Sequence, residues 1–128
     1  MLRQACVIAL LSSPSLALDC TPSTACLTDG TCDLDHSEGP FALEMRAEGL
    51  ALLDPTEPAE SREPWMLLAE QPAGDGGTRV FTVIDPRRGD AAMLSLSDER
   101  AFILTVHGLT FGAPYGLMTI GTCAGDPL

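Results

Sequence analysis

Four cysteines constrain this chain more than any other feature. Cys20, Cys26 and Cys32 stand close together near the start, and their one distant counterpart is Cys123, close to the C-terminal Leu128. A bridge from the cluster to Cys123 closes a loop of roughly one hundred residues, which in the chain-entropy account removes on the order of 4 to 5 kcal/mol of denatured-state freedom. That is a large share of the stability of a small domain. Four cysteines allow three connectivities. We expect a local loop from Cys26 to Cys32 with Cys20 tied to Cys123; the arrangement Cys20 to Cys32 with Cys26 to Cys123 uses the same ends. A zinc site fits less well, because zinc ligands usually stand two to four residues apart and both gaps here are wider.

A fifth cysteine, Cys6, lies in what reads as an export leader. Arg3 supplies the positive start, Ala5 to Leu11 the apolar run, and Ser15-Leu-Ala17 the small residues before a cleavage point. The run is too short to cross a hydrocarbon layer of roughly 30 Å. Asp19 precedes Cys20 where a lipid-attachment motif needs a small residue. The expected organisation is therefore a signal peptide over 1–17 and one disulfide-bonded β domain over 18–128, with a cysteine-rich segment at 20–32. The expected location is periplasmic or secreted, where paired cysteines persist.

The chain has eighteen acidic and seven basic residues, no lysine and no asparagine. Loss of the leader removes Arg3 and none of the acids, which takes the formal charge from −11 to −12. Such a chain repels nucleic-acid phosphates and anionic membrane surfaces, so no nucleic acid and no membrane insertion after leader removal are expected. A basic protein or a cation is the natural counterpart. Spread acidic charge also serves solubility alone.

Periodicity gives the fold class. Phe41, Leu43 and Met45 alternate with Ala42, Glu44 and Arg46, the period-two signature of a strand. Short apolar runs follow at Leu50–Leu53, Trp65–Ala69, Thr78–Ile84, Ala92–Leu96, Ala101–His107 and Tyr115–Cys123, separated by Gly, Pro and acidic turn segments. Thr78–Ile84 is β-branched and aromatic on both faces, as a central strand is. Seven short antiparallel strands without an amphipathic helix predict an all-β domain, a small barrel or a sandwich. Closure as a barrel brings the first and last strands together, where a bridge to Cys123 ties the termini.

No motif assembles a catalytic set. A Gly-x-Ser-x-Gly elbow is absent, and Gly74–Gly77 lack the lysine and helix of a phosphate loop. His36 sits in a polar turn and His107 ends a strand. A carboxylate pair of the glycosidase kind has many candidates and no distinguishing mark. Asp33, Asp35, Ser37 and Glu44 fall at the first, third, fifth and twelfth positions of a calcium loop, but the required glycine is displaced from Glu38 to Gly39. An ordinary acidic turn explains the same residues. Phe111 and Tyr115, around Gly112-Ala-Pro114, are candidates for protein contact, with core packing of at least one ring as the alternative. No cofactor is implied, and the sequence sets no oligomeric state.

The order of leader, clustered cysteines, a Phe41-Ala-Leu-Glu-Met45 strand and a terminal Gly116-Leu-Met-Thr-Ile-Gly-Thr-Cys123 strand resembles a group of small exported bacterial proteins of unknown function. That resemblance covers most of the chain and implies no activity. The small size, all-β pattern and end-to-end bridge are similar in architecture to the periplasmic inhibitors of C-type lysozyme, which are eight-stranded barrels. Their Ser-Gly-x-x-Tyr loop is missing here, and fold alone does not give function. The expectation is a non-catalytic acidic binding module, an inhibitor of a basic protein being one form of it. The alternatives are an assembly factor of the cell envelope, binding through a sheet edge or the Phe111 loop, and a hydrolase with an unidentified carboxylate site.

Overall fold

The β-branched stretch around Val80–Ile84 forms a strand whose two apolar faces have different fates. Phe81 is fully buried, while Ile84, on the opposite face, is 73% exposed. A strand inside a closed sheet has neighbours on both sides and still keeps one face to water. The computed structural model describes residues 17–58, 61–73, 76–110, 112–126 and 128. Among these, eight strands follow one another around a closed antiparallel barrel: β1 (Ala17–Leu27), β2 (Phe41–Arg46), β3 (Gly49–Leu53), β4 (Met66–Glu70), β5 (Arg79–Asp85), β6 (Asp90–Leu96), β7 (Ala101–Thr110) and β8 (Ala113–Gly125). A 3-10 turn, Leu34–His36, lies in the β1–β2 connection. Of the expected leader, only Ala17 falls within the described residues, and it opens β1.

Seven of these strands match the expected runs to within a few residues, and the barrel, not the sandwich, is the form adopted. The eighth is not among the expected runs and comes from the cysteine-rich segment. Leu18, Cys20 and Pro22 are buried and alternate with exposed Asp19 and Thr21, so the segment is a strand paired to β2 and to β8. Its register against β8 shifts between Pro22 and Thr24. A proline lacks the ladder N–H, and a bulge is one of the few places in a sheet that tolerates it.

The structure pairs Cys20 with Cys123 and Cys26 with Cys32. The first bridge joins directly opposed residues of the first and last strands, and both its cysteines are buried. It ties the two ends of the chain together where the barrel closes. The second links the C-terminal end of β1 to the loop that follows it, where Cys26 and Cys32 also form an isolated β-bridge. Disulfides of this kind are consistent with an oxidising location.

Leu18, Phe41, Leu43, Leu50, Leu52, Leu68, Phe81, Leu94 and Phe102 fill the interior. An eight-stranded barrel is just wide enough for its own side chains. Burying one such leucine or phenylalanine contributes on the order of 2 to 3 kcal/mol. Phe102 stands over Gly121, its cross-strand partner, where any side chain at 121 would meet the ring. Phe41 meets the same ring edge-on, with centroids 5.1 Å apart.

The antiparallel order sorts the connections to two ends. The start of β1 and the ends of β2, β4, β6 and β8 lie at one end. The ends of β1, β3, β5 and β7 lie at the other. The first end is tied shut by Arg79, which donates from Nε and Nη2 to Glu70 at 2.6 and 2.8 Å and from Nη1 to the Leu128 carbonyl at 2.9 Å. The Arg79 guanidinium also lies 5.3 Å from the centre of the Phe81 ring. Its donated hydrogen bonds hold the Glu70 carboxyl below its ordinary range, and Glu70 in turn raises Arg79.

Candidate functional site

The other end opens. Met66, Val83, Ala92 and Val106 face inward toward this end of the barrel, Ala92 buried and the other three partly so. They form part of a cavity of about 370 Å³ whose walls include Trp65 and Tyr115 and whose rim holds Asp85, Arg88, Asp90 and His107. A second cavity of about 190 Å³ shares Trp65, Met66, Val106 and Tyr115 with the first and reaches under the β1–β2 connection to Glu38, Phe41 and Leu52. Together they make one mouth with an apolar floor, two aromatic walls and an acidic rim.

Each wall is held by its position in the chain. Trp65 follows an acidic, proline-rich loop and donates its backbone N–H to the Leu52 carbonyl at 2.8 Å, which fixes it at the start of β4. The indole is 45% exposed, and across the mouth Tyr115 is 41% exposed. Apolar rings exposed at a concave site are the usual recognition surface for a ligand or a side chain. Asp90 opens β6 opposite Asp85. Its carboxylate lies over Gly108, in space that any side chain there would occupy.

The electrostatics of this end are one-sided. Asp29, Asp33, Asp35, Glu38, Asp54, Glu57, Glu63, Asp85 and Asp90 belong to its connections and strand ends, against Arg62, Arg87 and Arg88. Arg62 is spent on its own loop, donating to the carbonyls of Glu57 at 2.6 Å and Pro55 at 3.0 Å. Among the described residues, three ion pairs form, and only one, Arg88 to Asp90 at 3.4 Å, is at this end. That pair is exposed and weak. Asp54 is held below the ordinary carboxylate range by the hydroxyl and N–H of Thr56, and Asp29 by the N–H of Thr31. Both therefore keep their charge to lower pH than a free aspartate.

Of the residues singled out from the sequence, Tyr115 is a wall of the mouth, and Phe111 lies outside the described residues. The calcium candidates do not converge. Asp33 accepts from the Asp35 N–H at 2.9 Å as the cap of the 3-10 turn, and Ser37 accepts from the Gly39 N–H at 3.2 Å. Glu44 is on β2 beside Ala17, toward the closed end, in an ion pair with Arg46. Among the described residues no cluster of three metal-ligating side chains forms. His107 makes no side-chain hydrogen bond among them, and His36 has a buried Nε2 without a partner.

Sequence reasoning missed Trp65, Met66, Asp85, Asp90 and Val106 as parts of one site. One signal was present: the only tryptophan stands directly after an acidic proline-rich loop, where a core residue has nothing to pack against. No protein-family model matches the chain, and no curated protein sequence matches it.

Proposed function

We propose that this chain is an exported, non-catalytic binding module whose mouth receives a cationic side chain, lysine or arginine, presented by a basic partner protein. The observation that carries this is the combination of an apolar floor and two exposed rings with a rim where two acids, Asp85 and Asp90, are met by one exposed arginine, Arg88. A long basic side chain has that same composition, an apolar stem with a charged head. The stem would lie between Trp65 and Tyr115, where a guanidinium or ammonium also gains from the ring faces. The head would reach Asp85 and Asp90, displacing Arg88. Complementary charge speeds the encounter and selects against anionic partners. Inhibition of the partner is one outcome of such binding. The assembly-factor alternative has less support, since a closed barrel offers no unpaired strand to add to.

Trp65 makes the test direct, because it is the only tryptophan and stands in the wall. The oxidised protein is titrated with an oligoarginine peptide and with a C-type lysozyme as a folded basic probe, following protein emission for the peptide and calorimetry for the lysozyme. Saturable binding that weakens as salt rises, and that Asp85→Asn with Asp90→Asn reduces several-fold, supports the proposal. Unchanged Trp65 emission with the peptide, or affinity indifferent to salt and to both substitutions, sinks it. A lysozyme activity assay then separates inhibition from binding alone.

A further inference from the structure

The outer surface of β5 to β8 carries no Asp, Glu, Lys or Arg. Cross-strand partners form a row, Thr82, Met93, Thr105 and Met118, running straight across the four strands. The row on one side runs from Val80 to Ile120 and the row on the other from Ile84 to Gly116, and both hold only Val, Ser, Ile, Ala, His and Gly. In a chain with formal charge −11, an uninterrupted uncharged field over half a barrel is a segregation of charge and not an average of it. Ile84, Met93, Leu109 and Ile120 are all exposed within this field or at its margin.

We infer that this face is a self-association surface on which a second copy of the chain docks about a two-fold axis. Two arguments select that occupant. A basic partner gains nothing here, because no acid stands on this face to attract it. Two copies of so acidic a chain repel each other everywhere except where neither carries charge, and a two-fold contact sets that same face against itself. The size agrees. Four strands at about 4.8 Å and five to six residues at about 3.4 Å give a footprint of about 400 Å² before side-chain relief. That places a two-copy contact at the small end of specific interfaces, about 1,200 Å² or less in total, as in weak and exchanging dimers. A bilayer fits worse, because an inserted barrel needs an apolar belt around its whole circumference. The outer face here is broken by Asp19, Glu44 and Arg46 on β1 and β2.

Sedimentation of the oxidised protein over a concentration series, at low and high salt, tests this. A monomer–dimer equilibrium that tightens several-fold as salt rises is expected, since salt screens the repulsion between copies. This is the reverse of the salt response proposed for the mouth, so failure of either idea leaves the other standing. Met93→Glu with Ile120→Glu should weaken the dimer at least tenfold. Ile84→Glu, at a position already largely exposed, gives a second disruption with no demand on the core. Circular dichroism melts establish that the variants are folded. A protein that stays monomeric to about 1 mM at high salt overturns the inference, as does a dimer that persists in both folded variants.

Discussion

The two ends of the barrel are built from the same eight strands and solve opposite problems. At the closed end a short turn, a bidentate Arg79–Glu70 pair and the Leu128 carbonyl seal the interior, and the bridge between Cys20 and Cys123 lies within that half. At the open end two of the four connections are long, and apolar side chains line the cavities between Trp65 and Tyr115. The Cys20–Cys123 cross-link lies where the first and last strands meet, and the proposed recognition site lies where the two long connections gather. In a closed sheet the strands fix both ends at once, so loops at one end can diversify while the other holds the structure.

The contrast breaks most readily at the two disulfides, one in each half. Cys20→Ala with Cys123→Ala opens a loop of about one hundred residues and should cost about 5 kcal/mol by chain entropy. Cys26→Ala with Cys32→Ala opens a loop of only a few residues and should cost about 2 kcal/mol. Urea denaturation of the two variants should order them in that way, and equal losses would mean that the halves share stability evenly. Between these values, Phe81→Ala removes a fully buried ring and should lose about 3 to 5 kcal/mol. The emission of Trp65, at the other end, should be unchanged in the folded variant.

Smaller effects sharpen the comparison. The Glu70 carboxyl has a folded pKa below its unfolded one, because Arg79 donates to the charged form. The contribution is therefore complete above the unfolded value of about 4.3 and is lost as pH falls through the lower folded value. Glu70→Gln should flatten the acid limb of stability against pH by about 0.5 to 1 kcal/mol, discounted for exposure. Trp65→Ala should move the denaturation midpoint least, by about 0.5 kcal/mol or less in stability, as at a surface position. Yet it should abolish oligoarginine binding, followed for this variant by calorimetry because the substitution removes the only tryptophan. A Trp65→Ala variant that unfolds like Phe81→Ala would show that the mouth is a weakly packed part of the core.

Most strands were legible because one face is buried and one is wet, and that alternation is local. β1 was not, because Cys20, Thr21, Pro22, Ser23 and Thr24 have the composition of a turn and become a strand only through the ladder that β8 supplies. The same long-range pairing separated barrel from sandwich, a choice that local alternation leaves open. For β5 the apolar outer face made inside and outside indistinguishable in the sequence, and only the register of Phe81 against Leu94 assigns them. The mouth was hidden for a different reason. Trp65, the Asp85–Asp90 hairpin, Val106 and Tyr115 are far apart in the chain, and their meeting depends on how the strands stagger around the barrel. Tyr115 was singled out for its neighbouring Gly and Pro, which mark a turn and not a wall.

The pairing of β1 with β8 also sets the order of events when the protein forms. Chain synthesis delivers β1 first and β8 last, so for nearly the whole length of the chain the sheet is an open ribbon with two bare edges. Local hairpins can assemble as they emerge, but the final seam joins residues about a hundred positions apart, a non-local contact of the kind that slows folding. Until then the ribbon is exposed to pairing with other unfinished copies. Cys20 and Cys123 come within bonding distance only when that seam has formed, so their oxidation marks a completed molecule, and mixed disulfides at Cys20 would mark chains that stopped short.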